Sequence, residues 1–407
     1  GGYYAQYNQL TSDVRWQGSS LGSGATANVI TYNGTTAVVP NYNTAAPAAN
    51  ISWEKTPQMN LGLDASFLRD RFALNLDYYI KDSREIIFSV PVPITSGYSL
   101  AQNNFVDIRN RGVEITLNTN NLSNRSKFRW RTTFNVAFNK NFVTKLPAGN
   151  RDFVFGPPWL QRTLTIGQPL YAFLAWRVPG VYSTIDDVPV DPLTGQRIRW
   201  ESSNNFFGAG DGMKMDVNGD YNITALDKVN MGDPQTRVYG GLINNLTYKG
   251  FSLSILTSFV SGRKLWNGYL SDKLNGASRG QFTDWGPISG PAAEFNGLNF
   301  WHAPGDVAGL PSLFAPSVDN WHIAQSLFIE DASFVRIKNV NIGYMLPDKI
   351  AHKLKLKSIR IYSVMDNLKV FYNATVPDPE LVSPDGYTNG NDYPLPKKFT
   401  FGLDIQL

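Results

Sequence analysis

The sequence has 407 residues, of which 42% are hydrophobic, 13% aromatic and 17% charged, with a net charge of +4 at pH 7. The charged share lies below the roughly 25% typical of soluble domains, and no run of Lys or Arg indicates a nucleic-acid partner. The absence of cysteine excludes disulfides, thiolate metal sites and thiol nucleophiles, and no stretch approaches the ~18 consecutive apolar residues of a membrane-spanning helix.

Alternation of apolar and polar residues begins near residue 50 and predicts a series of antiparallel strands. The first two alternating segments, 61–67 and 72–78, flank Arg69-Asp70, a candidate two-residue hairpin turn. A second candidate hairpin turn, Lys249-Gly250, joins segments 240–248 and 251–259. The further alternating segments are 113–118, 128–139, 334–346, 356–366 and 399–407. In total we expect about ten strands, most near the ~9–11 residues that a tilted strand needs to cross a bilayer.

Segment 128–139 separates its residues into two contrasting faces. One face carries Phe128, Trp130, Phe134, Val136 and Phe138, and the other carries Arg129, Arg131, Thr133, Asn135 and Asn139. In a membrane barrel this pattern directs both arginines away from lipid, where each would cost about 2–4 kcal/mol at the midplane. A half-buried strand of a soluble sandwich would show the same pattern, so this segment alone leaves both alternatives open.

The connections between the predicted strands are very unequal in length. Three are tight, at Arg69-Asp70, 120–126 and Lys249-Gly250, whereas 180–236 and 262–330 are long. Compact soluble domains seldom carry irregular loops beyond ~12–15 residues. Outer-membrane barrels pair short periplasmic turns with long extracellular loops. The asymmetry favours a transmembrane antiparallel β-barrel in which 180–236 and 262–330 are extracellular.

The first long loop contains a pattern typical of a calcium-binding loop. Asp216, Asn218, Asp220 and Asn222 occupy the first, third, fifth and seventh positions of a twelve-residue loop, with Asp227 at the twelfth. Alternating oxygen ligands suit a hard cation around which the chain wraps. Tyr221 replaces the usual glycine and Asp227 the usual glutamate, so a simple Asp/Asn/Gly turn cluster is the alternative. We expect a structural Ca²⁺ site here.

Signals for catalysis are weak, and we expect no catalytic residues. His302, His322 and His352 lack ligand spacing, and the sequence has neither a nucleophile elbow nor a P-loop. The long loops are rich in aromatic side chains, which could stack on sugars or cover a protein partner. We favour instead that each packs against other loop residues or lies in an interfacial girdle. These aromatics are Trp200, Phe206, Phe207, Trp266, Trp285, Phe300, Trp301 and Trp321.

The last strand alternates strictly between two faces. Phe399, Phe401, Leu403, Ile405 and Leu407 share one face, and the residues between them form a polar face. A closed sheet in lipid must satisfy every backbone N–H and C=O, including those of its terminal strand. A chain whose last residues form such a strand is therefore consistent with a membrane barrel.

Several segments resemble the carboxy-terminal barrel half of SusC/RagA-type TonB-dependent outer-membrane transporters. The most specific is Ala332–Val340 continuing through Gly343-Tyr344-Met345-Leu346-Pro347, and the others follow in the family's order. They are Trp53-Glu54-Lys55-Thr56 with Asn60–Asp64, Leu76–Asp82, Arg109–Ile115, Asp216–Asp227 with Gly232-Asp233-Pro234 and Gly240-Gly241, and Tyr393–Leu407. Taken together, these matches span residue 50 to the terminus.

The resemblance implies an all-β fold, the carboxy-terminal ~10 strands of a presumed 22-stranded barrel plugged by an amino-terminal domain. The plug and the TonB box are expected to lie outside residues 1–407. The start at Gly1-Gly2-Tyr3-Tyr4, without methionine, predicts an internal piece of a longer polypeptide. Ten strands cannot close around a plug, so this piece is not expected to form the barrel alone.

The resemblance also implies function, partners and location. The expected activity is import of a large nutrient, a glycan or a peptide, across the outer membrane of a Gram-negative bacterium. The expected partners are a SusD-like surface lipoprotein, outer-membrane lipid, and the TonB complex reached through the missing amino-terminal region. Thr400, Gly402, Ile405 and Leu407 match the spacing of the family's last-strand assembly signal, with aliphatic residues in both aromatic positions.

Two other functions remain open at this point. One is a different outer-membrane barrel, for secretion or adhesion, whose long loops bind proteins. The other is a soluble, calcium-stabilised glycan-binding β protein. Dependence on detergent separates the soluble protein from both barrels, and co-purification with a SusD-like lipoprotein separates the two barrels from each other.

Overall fold

A computed structural model of the chain describes residues 51–92, 95, 98, 100–122, 126–201, 204–279, 297–313, 318, 321–390 and 392–407, together with five two-residue strands before residue 51. The chain divides into two compact units. The first comprises Gly1–Gln58, Lys81–Arg109 and Val143–Arg151, and the second comprises Met59–Ile80, Asn110–Phe142 and Asp152–Leu407.

Nine strands form an up-and-down sheet in which each strand pairs with its neighbours in sequence. They are β1 Gln58–Phe67, β2 Phe72–Pro91, β3 Leu100–Asn120, β4 Phe128–Lys145, β5 Val238–Tyr248, β6 Phe251–Ser261, β7 Phe334–Met345, β8 Ser358–Tyr372 and β9 Lys398–Gln406. All pairings from β4 to β9 are antiparallel. With Ala45–Ala46, which runs parallel to the start of β3, the sheet has ten strands, and the prediction of about ten is confirmed.

The two predicted hairpin turns differ in outcome. Lys249 and Gly250 join β5 to β6 with positive φ angles of 43° and 86°, as a two-residue type I′ turn requires. The prediction of a two-residue turn at Arg69-Asp70 is wrong, because residues 68–71 all lie between the ends of β1 and β2. The Ser66 hydroxyl donates to the Asp70 carboxylate at 2.6 Å and closes this longer turn.

In the first unit, β2 continues through a polar stretch, Lys81–Glu85, whose charged side chains form ion pairs. Asp82 accepts hydrogen bonds from Arg84 at 2.8 Å and from Arg109 at 2.6 Å, and Lys55 pairs with Glu85 at 3.0 Å. Arg109 is 27 residues from Asp82 and Lys55 is 30 residues from Glu85, so the alternation of neighbouring residues could not predict the full length of β2. The other elements of this unit are helix α1 Pro147–Asn150, the paired strands Arg15–Trp16 and Pro40–Asn41, and the paired strands Thr31–Tyr32 and Thr35–Thr36.

The long connections contain regular structure. They run over 146–237, 262–333 and 373–397, so the first begins well before residue 180, the predicted start of the first long loop. Their short strands are Phe153–Phe155, Arg162–Leu164, Ala172–Trp176, Arg199–Trp200, Asn222–Ile223, Lys228–Asn230, Lys264–Asn267, Ile329–Asp331 and Tyr387–Thr388. Helix α2 spans Gly268–Arg279, and helix α3, in the turn between β7 and β8, spans Asp348–Lys353. Among the described helices, none has both the length and the apolarity to cross a membrane.

Two hydrophobic clusters form the core of these connections. The first gathers Trp176, Tyr182, Val188, Ile198, Trp200, Phe207, Ile223, Val318 and Ile323. The second gathers Leu160, Phe173, Trp266, Leu274, Phe300, Trp321 and Phe328. Because each cluster draws on two connections, burial of apolar surface holds those connections together.

Hydrogen bonds also link the three long connections of the second unit. The Arg162 guanidinium lies 2.7 Å from the Asp385 carboxylate and so joins the first connection to the third. The Asn267 amide donates to the Thr375 hydroxyl at 2.8 Å and joins the second connection to the third. The three connections therefore form one packed layer.

Candidate functional site

Most of the exposed apolar side chains of β4 to β9 lie on one face of the sheet, which we call the apolar face, while Ile243, Leu256, Val260 and Val364 lie on the other. Residues directly opposite in an antiparallel pair point to the same side. Trp130 lies opposite Leu246, and Leu246 lies opposite Leu253. The members are Phe128, Trp130, Phe134, Val136, Phe138, Leu242, Leu246, Tyr248, Phe251, Leu253, Ile255, Phe259, Val335, Val340, Ile342, Tyr344, Ile361, Met365, Phe371, Phe399, Phe401, Leu403 and Ile405.

The opposite side, the polar face, carries the side chains between them. Thr133 donates to Asn118 at 2.8 Å and Arg131 donates to Asn120 at 3.0 Å, so polar groups pair across strands. The predicted separation of the two faces of β4 is confirmed. The polar face includes Arg129, Arg131, Thr133, Asn135, Asn245, Thr247, Ser252, Ser254, Asn339, Asn341, Asp366, Thr400, Asp404 and Gln406.

Many side chains of the apolar face are strongly exposed. Ile361 is 52% exposed, Leu403 57% and Phe401 80%. A continuous apolar surface of this extent marks an interaction surface rather than a water-facing one. In a membrane barrel, such an apolar face contacts lipid hydrocarbon, and the opposite, polar face lines a hydrated interior.

The four residues predicted as an assembly signal lie at the end of the sheet. Thr400 and Gly402 are on the polar face of β9, opposite Val364 and Tyr362 of β8, and Ile405 is on the apolar face. Leu407 follows the last strand residue and is 90% exposed. The structure gives Gly402 a physical role, because any Cβ there would overlap the Tyr362 ring. Their role in assembly stays a prediction.

We expect Gly402→Val to destabilise the β8–β9 pair by about 1–3 kcal/mol, the usual cost of overpacking. The added side chain competes with the Tyr362 ring for the same space. The midpoint of heat-induced unfolding in detergent should fall for Gly402→Val and recover when Tyr362→Ser is added. Gly309→Ala is the matched control, since nothing lies within 4 Å of its new Cβ. Failure of Tyr362→Ser to restore the midpoint would remove the steric explanation.

The predicted calcium-loop residues form a compact loop closed by its own side chains. Asp216 accepts from the backbone N–H of Gly219 at 2.7 Å and of Tyr221 at 2.8 Å. Asp227, fully buried, accepts from Val217 at 2.9 Å and from Thr224 at 2.7 Å. In the part of the chain that the structure describes, no group of three or more His, Asp or Glu side chains has the arrangement of a metal site.

One backbone feature of this loop fits a calcium loop. Tyr221, at the position where such loops have glycine, adopts a φ of 57°, so the sharp left-handed turn forms without glycine. Carboxylate oxygens have two lone pairs each, so those of Asp216 and Asp227 keep capacity for a cation beside their N–H partners. Asn218, Asp220 and Asn222 supply the remaining oxygen donors by sequence position. Calcium at this loop therefore stays a proposal.

The combined change Asp216→Ala and Asp220→Ala tests calcium binding. If the loop holds Ca²⁺, the thermal midpoint of the variant should fall further below that of the wild type in calcium buffer than in chelator, where only the hydrogen bonds of the loop itself are lost. A ligand that binds only the folded state stabilises it by mass action, so the wild type alone gains from calcium. Equal losses with and without chelator would exclude the metal.

The aromatic residues predicted in the long loops are mostly buried there. Trp200, Phe207, Trp266, Phe300 and Trp321 belong to the two hydrophobic clusters, which confirms the packing interpretation for these five. Phe206 and Trp301 are half-buried, and Trp285 lies outside the described residues. Burial also raises the pKa of Tyr182, in the same cluster as Trp200, to about 12, with the Asp211 carboxylate adding to the effect.

A buried charged network was missed by sequence reasoning. Arg336 of β7 lies 2.5 Å from Asp378 and 2.8 Å from Glu380 of the third long connection, and Lys338 lies 2.6 Å from Glu380. The side chains of Arg336 and Asp378 are only 2% and 3% exposed. No local signal could have paired them, because they are 42 residues apart in sequence.

The three histidines lie apart from one another. His302 is exposed beside Asp306 at 3.9 Å, His322 contacts the ring of Trp159, and His352 belongs to α3. The expectation that the chain has no catalytic residues stays a prediction.

Comparison with known proteins identifies related barrels. Residues 3–244 match the family model described as TonB dependent receptor-like, beta-barrel. TonB-dependent receptor P3 of Formosa agariphila is 28% identical over 88% of this chain and 34% of its own length. TonB-dependent receptor SusC of Bacteroides thetaiotaomicron is 25% identical over 90% of this chain and 33% of its own length.

Solved structures agree on the fold. A chain of the RagAB peptide importer in the open-open state matches with a TM-score of 0.69 and 20% identity, over 98% of this chain and 38% of that chain. At this identity the likeness shows the fold alone. This chain spans about a third of the length of the curated relatives that it matches.

Proposed function

This chain belongs to the TonB dependent receptor-like, beta-barrel family, and on that basis we propose that it is the carboxy-terminal barrel portion of a nutrient importer of the outer membrane. The fold is an antiparallel sheet that matches a chain of the RagAB peptide importer. Import moves a substrate without changing its covalent bonds, so the activity needs no catalytic residues.

The observation that carries this proposal is the separation of the two faces over consecutive strands. From β4 to β9, the apolar face contacts hydrocarbon and the polar face lines the lumen. In lipid, only a closed sheet leaves no unpaired edge. Among the described residues, β1 and β9 are the two edges of the sheet, so further strands must complete the barrel. We propose that the rest of a longer polypeptide supplies those strands and the plug.

The packed connections 146–237, 262–333 and 373–397 are proposed to be extracellular. Their hydrogen bonds and shared hydrophobic clusters make them a firm platform on which a SusD-like lipoprotein can close. The loop stretches 180–236 and 262–330 predicted from the sequence fall within this platform. RagAB is described as a peptide importer, and the sequence resemblance to SusC/RagA-type transporters implies a glycan or a peptide, so we propose a peptide or a glycan oligosaccharide as the substrate class.

Energy is proposed to come from the TonB complex, through the amino-terminal part of the polypeptide. TonB dependence separates this importer from a barrel for secretion or adhesion.

Affinity isolation of the full-length protein from outer membranes tests the assembly. In detergent, the protein should be recovered together with a surface lipoprotein, identified by mass spectrometry. An unrelated tagged outer-membrane barrel, isolated in the same way, controls for nonspecific capture. Recovery from the soluble fraction without detergent would overturn the membrane assignment. Recovery from membranes without any lipoprotein would contradict the two-component importer.

A further inference from the structure

Two cations interrupt the apolar face at neighbouring positions on β3 and β4. Lys140 is two residues after Phe138, and Arg111 is two residues before Val113, so by alternation along the strand each cation points to the same face as that apolar residue. We call this having the same strand parity. The Arg111 guanidinium lies 5.4 Å from the centre of the Phe142 ring, another residue of the same parity on β4. Both cationic side chains are exposed. The pair therefore lies on the side of the sheet that faces lipid in the proposed barrel.

The two cations border an open depression in this face. Its volume is about 400 Å³, and it is lined by Tyr78, Arg111, Val113, Phe138 and Lys140 together with neighbouring backbone. The hydroxyl of Tyr79, the residue after Tyr78, donates a hydrogen bond at 2.9 Å to the side chain of Asn139, which lies on the polar face. Tyr78 therefore points to the apolar face. A cleft with aromatic and aliphatic walls and two cations suits an amphipathic ligand that carries an anion.

The nearby carboxylates of the same strand parity are engaged elsewhere: Asp82 pairs with Arg84 and Arg109, and Asp107 accepts the backbone N–H of Glu85. Among the ion pairs of the described residues, none involves Arg111 or Lys140. Glu114 and Asp77, by their position along the strands, lie on the polar face. The two exposed cations are therefore available to an anion from outside the sheet.

Position along the strand places the pair at a membrane boundary. From Phe128 to Phe138 the apolar face of β4 carries no charge, and this stretch matches the ~9–11 residues that cross the hydrocarbon core. Lys140 comes directly after it, on the side of the long connection that begins at residue 146. A cation costs ~2–4 kcal/mol at the midplane but only ~0–1 near an interface, so this level is where it is tolerated.

We propose that Arg111 and Lys140 bind the phosphate of a lipid headgroup at the loop-side boundary of the membrane, an inference that rests on the proposed barrel function. The planar guanidinium donates two parallel hydrogen bonds to phosphate oxygens, and the ammonium adds a second positive charge. Tyr78 and Phe138 contact the apolar part of the same lipid, at the level where aromatic residues form interfacial belts. The bound lipid completes the charge balance that the sheet lacks.

Native mass spectrometry of the detergent-solubilised full-length protein tests this site with phosphatidylglycerol as the probe. The variant Arg111→Gln with Lys140→Gln should retain about tenfold less of this lipid, the effect of losing ~1.4 kcal/mol of charge-assisted binding. The variant Arg129→Gln with Arg131→Gln is the matched control, because it removes two charges from the polar face of β4. It should bind as the wild type does.

Two further arms define what the site recognises. Diacylglycerol, which lacks the phosphate, should bind the wild type and the Arg111/Lys140 variant equally weakly, and strong binding of it to the wild type would overturn the proposal. Displacement of phosphatidylglycerol by inorganic phosphate would show a free-anion site instead of a lipid site, and would also overturn it.

The experiment distinguishes an error in the lipid site from an error in the proposed barrel function. If the wild type requires detergent but both double variants bind phosphatidylglycerol equally, the lipid site is wrong and the barrel stands. If the wild type is soluble without detergent, the barrel itself is wrong.

Discussion

Substitution of Leu403 by arginine should strongly reduce the amount of protein in the outer membrane. Leu403 lies on the apolar face of β9 opposite Ile361, and both side chains are more than half exposed. In the proposed barrel both contact hydrocarbon, where an arginine costs about 2–4 kcal/mol near the midplane. The protein in purified outer membranes, measured by immunoblot and by resistance of the folded barrel to detergent at low temperature, reports the loss.

The control for Leu403→Arg places the same side chain on the opposite face. Gln406 belongs to β9 but lies on the polar face opposite Ser358, so Gln406→Arg should assemble normally. Asp404→Asn, which removes one charge from the polar face, should also be mild, because Asp404 and Arg360 are 3.5 Å apart and largely exposed. Wild-type outer-membrane levels of Leu403→Arg would contradict the assignment of the faces.

The second large effect is expected at Asp378. Removing its carboxylate in Asp378→Ala leaves the guanidinium of Arg336 buried, with Glu380 as its remaining partner at 2.8 Å. Breaking a buried ion pair costs about 3–5 kcal/mol, and the remaining carboxylate favours the lower value. At about 3 kcal/mol, opening of connection 373–397 should become about a hundredfold more frequent. The rate of limited proteolysis within that connection measures the change.

Two comparisons make the proteolysis result specific. The double change Arg336→Met with Asp378→Leu removes both charges and should recover part of the lost resistance, since apolar residues can replace a buried ion pair. Recovery stays partial because the backbone N–H groups of Glu380 and Leu395 still lose their Asp378 acceptor. Asp404→Asn disrupts an exposed ion pair far from this connection and should leave cleavage unchanged. Equal sensitivity of Asp378→Ala and the double variant would show that the charge pair is not what holds the connection.

The alternation of side chains was enough to predict the sheet and the orientation of its strands. In β4, the side chains of Arg129 and Arg131 point to one face of the sheet and that of Phe134 points to the other, as the sequence indicates. Successive side chains of an extended strand alternate between the two faces, so position along the strand fixes the face of every residue. The Lys249-Gly250 turn was equally local, since both residues accept a positive φ. The resemblance to SusC/RagA-type barrels is confirmed by the family match over residues 3–244.

The long connections could not be predicted in the same way. Their short strands are held by partners far away in sequence, such as Ala172–Trp176 beside Lys228–Asn230, and show no periodicity of their own. The burial of Trp200 and Trp321 depends on clusters assembled from separate connections. Sequence composition indicated aromatic loops but not which residues would meet.

The two candidate sites differ in the same way: one is visible in a single segment of the sequence, and the other requires two strands to pair. The calcium-loop pattern lies within one short segment, and the left-handed φ of Tyr221 agrees with it. Whether a metal occupies the loop depends on its affinity, which the pattern does not give. The Arg111 and Lys140 pair, by contrast, becomes visible only when neighbouring strands bring the two residues to one depression. Pairing between strands, rather than periodicity within one strand, carries that information.

The most direct test of the account is the environment of single residues on β6. Residues 1–407 contain no cysteine, so one cysteine at a time can be introduced there to carry a spin label. The labelled protein is the full-length polypeptide in lipid bilayers, with any cysteine outside these residues replaced by serine. Ser252→Cys and Ser254→Cys lie on the polar face, and Leu253→Cys and Ile255→Cys on the apolar face. We predict high accessibility to dissolved oxygen at 253 and 255, and to a water-soluble nickel complex at 252 and 254. Equal access of the nickel complex to all four positions would contradict a lipid-facing sheet.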